Sequence, residues 1–415
     1  MINTKRLAQR LLVGGIAAAT VAAGLVVGVA GPASADPVGT YVGAGSDTTQ
    51  DVLNGVADAI GLGIVSSWDA VDPVTHTAHL GINPKRNCTA TRPNGSGEGV
   101  TAVRQSANVA AAIGNPFAGE TDQPELGCVD FARSSSGPNP QSNTGRWVFI
   151  PFALDAVAVA SQHTGDPTAV GYSQLSFDPT NLPTGAGTLQ KLYRDGLQVT
   201  LNGTLYDPRC LQAPCTGGAT PIHLYIPQSG SGTRSFWLAQ MGIGTVPAWL
   251  HDRAFSTSCA APFNTVDFCG ASVEEHDGTV LQGDAQGIAP FSISQWVGQR
   301  NGHNDRRHGA HLYSLVNATT SATVNPLTGN FPTVETGALN TNFLIRREVF
   351  NVVEWSKVTS GQPNFDPTLL SVFGPGGAIC GKASTIANFG FGLLNATTPH
   401  TCGAIVDSLR AFATD

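Results

Sequence analysis

Apolar and polar positions along this chain follow two patterns, short apolar runs typical of strands and helical spacing typical of helices. Residues 40–42 form a short apolar run, and a glycine-rich turn separates them from a stretch whose apolar residues, Val52, Leu53, Val56 and Ile60, recur at helical spacing. Trp147–Ser161 is apolar and rich in β-branched and aromatic residues, which is typical of a buried strand. Residues 222–226 predict another strand, and residues 235–241 predict a helix. Strands that alternate with helices indicate an α/β fold.

The first 35 residues are predicted to be a secretory signal peptide. Three basic residues among the first ten precede an apolar run over 11–31, and Ala33-Ser34-Ala35 follows as a small-x-small cleavage site. A membrane anchor is the alternative, because the run is about long enough to span a bilayer, but its many Gly and Ala residues favour cleavage. No cysteine stands at the cut, so we expect the mature chain to begin at Asp36 and to be released without a lipid anchor.

The charge of the chain argues against a nucleic-acid partner. Removing the predicted signal changes the formal net charge from −7 to −10, and only 12% of the whole chain is charged. A basic face for nucleic acid is therefore not expected. No second long apolar segment follows residue 35, so the mature protein is predicted to be soluble and extracellular.

All eight cysteines follow the predicted signal. An even number in an exported protein indicates disulfides. Three pairs would close short loops, which favours consecutive pairing along the chain: Cys88–Cys128, Cys210–Cys215, Cys259–Cys269 and Cys380–Cys402. Metal binding is the competing use, but the pairs are scattered and no CxxC occurs.

Three segments share one design, in which an apolar strand leads through a Gly/Ser/Thr loop into a helix start. Backbone N–H groups at a helix start lack helical partners and lie at the positive end of the helix dipole, so such loops can hold a phosphate-like group. Each loop taken alone is also explained as a simple helix cap. The segments are 43–48 (GAGSDT), 95–100 (GSGEGV) and 228–234 (QSGSGTR).

The order and content of these loops resemble the phosphate-binding proteins of bacterial phosphate importers. VGAGSDTTQDVL resembles that family's opening strand and loop, GSGEGV its second loop, and VDFARSSSG its third. FIPFALDAVAVA resembles its crossover, LQKLYRDG a helix of the second lobe, and GSGTRSFW its fourth ligand loop. The likeness spans residues 40–300, with a weaker echo in FLIRREVF over 343–350. It implies a two-lobed type II periplasmic-binding fold, with residues 36–153 and 290–415 in lobe 1, residues 154–289 in lobe 2, and hinge crossings at 151–155 and 289–292.

The resemblance also implies a ligand set and two departures from the family. Where the family has an aspartate that accepts the proton of hydrogen phosphate, this chain has Ser135, and where it has an arginine, this chain has Pro227. Arg133 and Arg234 lie nearby in sequence as substitutes. Selectivity between phosphate and sulfate therefore stays open. The implied ligand contacts are Ser46, Asp47, Thr48, Ser96, Ser135, Ser231, Gly232 and Thr233.

We expect no enzyme, cofactor or metal. Ser231 does not lie in a Gly-x-Ser-x-Gly motif, although a triad of Ser231, His276 and Asp277 stays open. The sequence GHNDRRHGAH over 302–311 favours a solvated loop over a metal site, because two arginines stand inside it. Glu274, Glu275 and Asp277 favour an exposed acidic turn over a glycosidase pair.

The leading interpretation is a secreted solute-binding protein for a small oxyanion. An extracellular interaction module on the same fold and, third, a secreted hydrolase are the alternatives. Both a transporter and the cell wall stay open as macromolecular partners.

Overall fold

A computed structural model of the protein describes residues 39–61, 63–72, 75, 77–112, 126–162, 171–256, 268–329, 331 and 335–415. The predicted signal peptide over 1–35 lies outside the described residues. The predicted α/β class is confirmed, since helices alternate with strands that join a mixed sheet. Within the described ranges, no helix has the length and apolarity needed to cross a membrane.

Helices are present at both positions where the periodicity predicts them, after residue 48 and over 235–241. Val52, Leu53 and Val56 form the buried side of the first helix, as their spacing predicts. The fourth helix begins after Ser231, whose hydroxyl accepts a hydrogen bond from the Arg234 N–H. The helices are α1 Gln50–Ile60, α2 Ser96–Ser106, α3 Thr188–Gln190 (continued by a π-helical turn, Lys191–Asp195), α4 Gly232–Met241, α5 Thr279–Gln282, α6 Ile293–Arg300, α7 Pro367–Phe373 and α8 Ala383–Asn388.

The strands are mostly short, and one of them is long and central. β6 has 15 residues, all of them buried, as expected of a strand covered on both faces. The strands are β1 Tyr41–Gly45, β2 Val65–Ser67, β3 Gly81–Ile82, β4 Ala90–Thr91, β5 Phe131–Ser134, β6 Trp147–Ser161, β7 Ser176–Phe177, β8 Val199–Leu201, β9 Thr204–Asp207, β10 Thr220–Pro221, β11 His223–Tyr225, β12 Leu250–His251, β13 Gly287–Ser292, β14 His311–Leu312, β15 Leu315–Asn317, β16 Thr323–Val324, β17 Arg346–Glu354 and β18 Arg410–Ala411.

The largest sheet places β6 between antiparallel neighbours. Its strand order is β12-β11-β13-β6-β17-β5-β1-β2, and β14 and β18 also pair with β6. The first residues of β6, 147–153, pack into two apolar clusters with β5 and β17, whereas residues 156–160 pack into another cluster with β11 and β13. β6 therefore joins separate parts of the core. The division into two lobes stays a prediction.

Asp155 fixes the point on β6 where these clusters meet. Its carboxylate is fully buried and accepts hydrogen bonds from the Ser292 hydroxyl at 2.9 Å and from the Ser294 N–H at 3.2 Å. It also pairs with Arg347 of β17, at 2.8 Å. Three segments distant in sequence are thus held together beside the loops described next.

Three of the four predicted disulfides are confirmed: Cys88–Cys128, Cys210–Cys215 and Cys380–Cys402. The fourth prediction, Cys259–Cys269, depends on a residue outside the described ranges.

Candidate functional site

The second and third Gly/Ser/Thr loops are in direct backbone contact. The Gly97 N–H donates to the Gly230 carbonyl at 3.2 Å. Gly95 has a φ of 114°, and a Cβ built on it would lie 2.5 Å from the Gly230 oxygen. Only glycine permits both this conformation and this approach. The glycines of these loops therefore bring the starts of α2 and α4 together.

Hydroxyl groups from different loops meet at this contact. The Ser96 and Ser135 hydroxyl oxygens are 3.2 Å apart, and the Ser135 N–H donates to the Ser96 oxygen at 3.0 Å. Gly232 lies against both, since a Cβ on it would fall 2.2 Å from the Ser96 oxygen and 2.7 Å from that of Ser135. Residues from three separate segments, which the resemblance implies as ligand contacts, are thus neighbours.

A second chain of hydrogen bonds links the first loop to α4. Arg347 donates through Nη2 to the Thr233 hydroxyl at 2.7 Å. The Thr233 and Thr48 hydroxyl oxygens are 3.1 Å apart, and Thr48 donates its one hydroxyl proton to Glu275. Since that proton is already engaged, Thr233 is the donor to Thr48.

Ser46 and Asp47 complete the first loop. The Ser46 side chain is fully buried, and its N–H donates to the Arg133 carbonyl at 3.1 Å. The Ser46 hydroxyl has no hydrogen-bond partner among the described residues. All eight residues that the resemblance implies are buried, and the loops that carry them converge.

Glu275 contacts two of these residues, which the sequence did not lead us to expect. Its carboxylate accepts from the Thr48 hydroxyl and, at 3.1 Å, from the Ser231 hydroxyl, and its side chain is fully buried. The expectation of an exposed acidic turn was wrong for Glu275. The turn runs inward because Val273 is fixed on both sides: its N–H donates to Asp252, and its carbonyl accepts from Gln228.

Asp47, Glu274, Glu275 and His276 form one acidic cluster. The Asp47 Oδ2 lies 3.4 Å from the His276 Nδ1. Burial alone would raise the pKa of the Asp47 carboxyl, but the adjacent imidazole outweighs it and holds that pKa below its usual value. Burial and the Asp47 charge raise the pKa of Glu275 to about 7 and that of Glu274 well above its usual value.

Arg347 is the buried cation that sequence reasoning missed. It is 6% exposed, and its Nη1 has no hydrogen-bond partner among the described residues. The family echo over 343–350 contains this residue but does not single it out, because its position depends on the pairing of β17 with β6.

The two arginines proposed as substitutes are engaged elsewhere. Arg133 is fully buried and donates to Ser67 at 2.9 Å and to the backbone carbonyls of Gly45, Ser46 and Trp68. Arg234 donates to the Pro227 carbonyl at 2.9 Å and to Asp252 at 2.8 Å. Both arginines hold loops in position.

The serine triad is not assembled. Ser231 bonds to Glu275, and His276 faces Asp47, whereas Asp277 accepts from the Thr279 N–H at 2.7 Å. The histidines of the 302–311 segment are also separate: His303 stacks on Phe389, and His311 lies 3.2 Å from Glu335.

A cavity of about 810 Å³ adjoins the acidic cluster. Glu274, His276 and Asn94 are part of its lining, together with Asp69, Asp277 and Arg306. The cavity connects the buried cluster to space that water and small ions can enter.

Comparisons with known proteins match the fold at low similarity. No family model matches the chain, and no curated protein does. Among solved structures, it is similar to a high-affinity periplasmic phosphate-binding protein bound with phosphate (12% identity, TM-score 0.43, 88% of this chain and 96% of that one). It is also similar to a human phosphate-binding apolipoprotein (12% identity, TM-score 0.41, 89% and 100%) and to an ABC-type phosphate transport receptor from Vibrio cholerae (12%, TM-score 0.40, 85% and 98%). At these values the likeness concerns the overall fold alone.

Proposed function

We propose that this chain is a secreted solute-binding protein that holds a small oxyanion of phosphate-like chemistry between two lobes, formed by residues 36–153 with 290–415 and by residues 154–289. The observation that carries the proposal is the convergence of hydroxyl groups from separate loops, Thr48 with Thr233 and Ser96 with Ser135. Oxygen-rich anions are bound by such sets of short donors.

Helix geometry adds to the attraction for an anion. α2 and α4 begin at Ser96 and Gly232, within the contact between the loops. Each helix start carries a partial positive charge. The buried Arg347 is ion-paired with Asp155, but its Nη1 group has no hydrogen-bond partner among the described residues and can donate to an anion. A dipole and a guanidinium both stabilise an oxyanion there.

Glu275 brings a carboxylate to the site from a different segment of the chain than the one that carries the aspartate in the related family. Ser135 stands where the related family has its proton-accepting aspartate, but the Glu275 carboxylate lies among the same hydroxyl groups. We expect it to accept the proton of hydrogen phosphate, which sulfate lacks at neutral pH. On this reasoning the site prefers phosphate to sulfate.

Calorimetric titration of the EDTA-treated protein with phosphate and with sulfate tests the proposal. We expect saturable phosphate binding that Ser96→Ala and Thr233→Val weaken by about tenfold or more, since a hydrogen bond to a charged group contributes roughly 1.5–3 kcal/mol. Thr101→Val is the matched control, because among the described residues its hydroxyl bonds to the Gly97 carbonyl of its own helix and to none of the site residues.

Two outcomes would contradict the proposal. One is the absence of binding for every oxyanion tried. The other is equal weakening by Thr101→Val, which would show that any lost hydroxyl on these helices has the same effect.

A second candidate function is an interaction module without a small ligand. One observation favours it: Glu275 already accepts from Thr48 and Ser231, so a carboxylate of the chain itself engages the donors that an oxyanion would use. Retention on cell-wall polymer, together with no response to oxyanions, would favour this function.

A further inference from the structure

We propose that Asp47, Glu274, Glu275 and His276 form a binding site for a divalent transition-metal ion, a function beyond oxyanion binding. Each residue offers one ligand atom, and these atoms all lie within 4.8 Å of one another. Asp47 comes from the loop after β1, and the other three are consecutive residues before β13. The expectation of no metal was based on the cysteines and on the 302–311 segment, and this cluster was not considered, since its two segments are far apart in the chain.

A second observation concerns hydrogen bonding. The Asp47 Oδ2, the Glu274 Oε2 and the His276 Nδ1 are buried and make no hydrogen bond of normal geometry among the described residues, although Asp47 and His276 face each other as an ion pair at 3.4 Å. Asp47 is 1% exposed and His276 is 3% exposed. Buried polar atoms are normally hydrogen-bonded, and exceptions need an explanation. A cation satisfies carboxylate oxygens and an imidazole lone pair at the same point.

The spacing fits a small ion. With metal–ligand bonds of about 2.1 Å, neighbouring ligands of a tetrahedral ion lie roughly 3.4 Å apart. The Asp47 Oδ2 and the His276 Nδ1 are 3.4 Å apart. Three carboxylates with one imidazole suit ions that accept both oxygen and nitrogen ligands, such as Zn²⁺ and Mn²⁺.

The ligands are held by neighbours, as metal ligands usually are. The Asp47 Oδ1 accepts from the Thr48 N–H at 3.0 Å, which leaves Oδ2 available. Asn94 donates to the Glu274 Oε1 at 3.4 Å, which leaves Oε2 available. Thr48 and Ser231 orient Glu275.

Access also agrees with a cation site. The cavity of about 810 Å³ reaches Glu274 and His276 and provides an entry path.

The test is a titration of the EDTA-treated, dialysed protein with Zn²⁺ and with Mn²⁺ in a buffer free of phosphate. We expect one saturable site whose affinity falls more than about tenfold in His276→Gln, since even outer-shell changes cost 10–100-fold. His223→Gln is the matched control, because His223 is equally buried (3% exposed) and also lies beside an aspartate.

A spectroscopic readout keeps the proposal falsifiable if His276→Gln fails to fold. Electron paramagnetic resonance of Mn²⁺ bound to the wild-type protein is expected to show coupling to one directly bound imidazole nitrogen, and Glu274→Gln is expected to weaken binding while the coupling remains. No saturable binding, no nitrogen coupling, or equal weakening in His223→Gln would each overturn the metal site.

The metal titration contains no oxyanion, and the oxyanion titration uses protein from which EDTA has removed metal ions. A negative result in one of them therefore overturns that proposal and leaves the other standing.

Discussion

Two buried histidine–aspartate pairs in this protein differ in how completely they are hydrogen-bonded. In the first, the His223 Nδ1 lies 2.6 Å from Asp284, and its Nε2 lies 2.9 Å from the Leu211 carbonyl. Asp284 also accepts from Tyr225 at 2.7 Å and from the Gln286 N–H at 3.0 Å. Each titratable atom of this pair has a protein partner.

The second pair, His276 with Asp47, leaves the facing atoms 3.4 Å apart and without hydrogen bonds among the described residues. Two glutamates lie beside it, where the first pair has a tyrosine. The contrast teaches that burial of a His–Asp pair does not by itself indicate a site. A completed network stabilises the fold, whereas an incomplete one has the capacity to bind a ligand.

The largest expected effect is a loss in the free energy of unfolding when the first pair is broken, with a much smaller change at the second pair. Asp284→Ala removes the acceptor of both His223 and Tyr225, and breaking a buried pair costs about 3–5 kcal/mol in the free energy of unfolding. Glu274→Gln is expected to change that free energy by less than about 1 kcal/mol, because burial already disfavours the charged form of this carboxyl and Gln is a neutral group of the same shape. Denaturant titration in EDTA measures both, and equal losses would break the comparison.

A smaller effect concerns pH and Glu275. Because the folded pKa of Glu275 is raised to about 7 from 4.5, the unfolded chain loses this proton first as the pH rises. The free energy of unfolding therefore falls between pH 4.5 and 7. Glu275→Gln is expected to flatten this fall in denaturant titrations carried out in EDTA at several pH values. An unchanged slope would show that Glu275 titrates normally.

The smallest expected effect is at His223. Burial opposes its charge, but the hydrogen bond to Asp284 outweighs burial, so the pKa of His223 is raised above 6.5. Asp284 and Tyr225 face this imidazole, and His251 is the nearby like charge when protonated. The stabilisation is complete below pH 6.5 and is lost as the pH rises through the folded pKa. His223→Gln should abolish the fall in the free energy of unfolding above pH 6.5. A pH profile of that free energy identical to the wild type would contradict the assignment.

The sequence predicted the local parts of the site well. Glycines and hydroxyl residues in 43–48, 95–100 and 228–234 mark strand-to-helix turns, because glycine conformations and cap residues act over a few positions. The predicted buried strand at Trp147–Ser161 and the helix stripe of Val52, Leu53 and Val56 follow from periodicity.

The errors and omissions have a common cause. Glu275 was expected to be exposed, because consecutive acidic residues usually are, and Arg347 was not singled out from other arginines. Both positions depend on partners far away in the chain: Glu275 bonds to Thr48, and Arg347 bonds to Thr233.

By itself the sequence determined the α/β class, three disulfide pairs and the loops that converge at the site, because periodicity, cysteine spacing and turn chemistry are properties of short segments. Only the tertiary structure decided which charges face those loops. Asp47 meets residues 274–276 because strand pairing and loop contact bring distant segments together, and a contact between segments so far apart leaves no pattern in a single sequence.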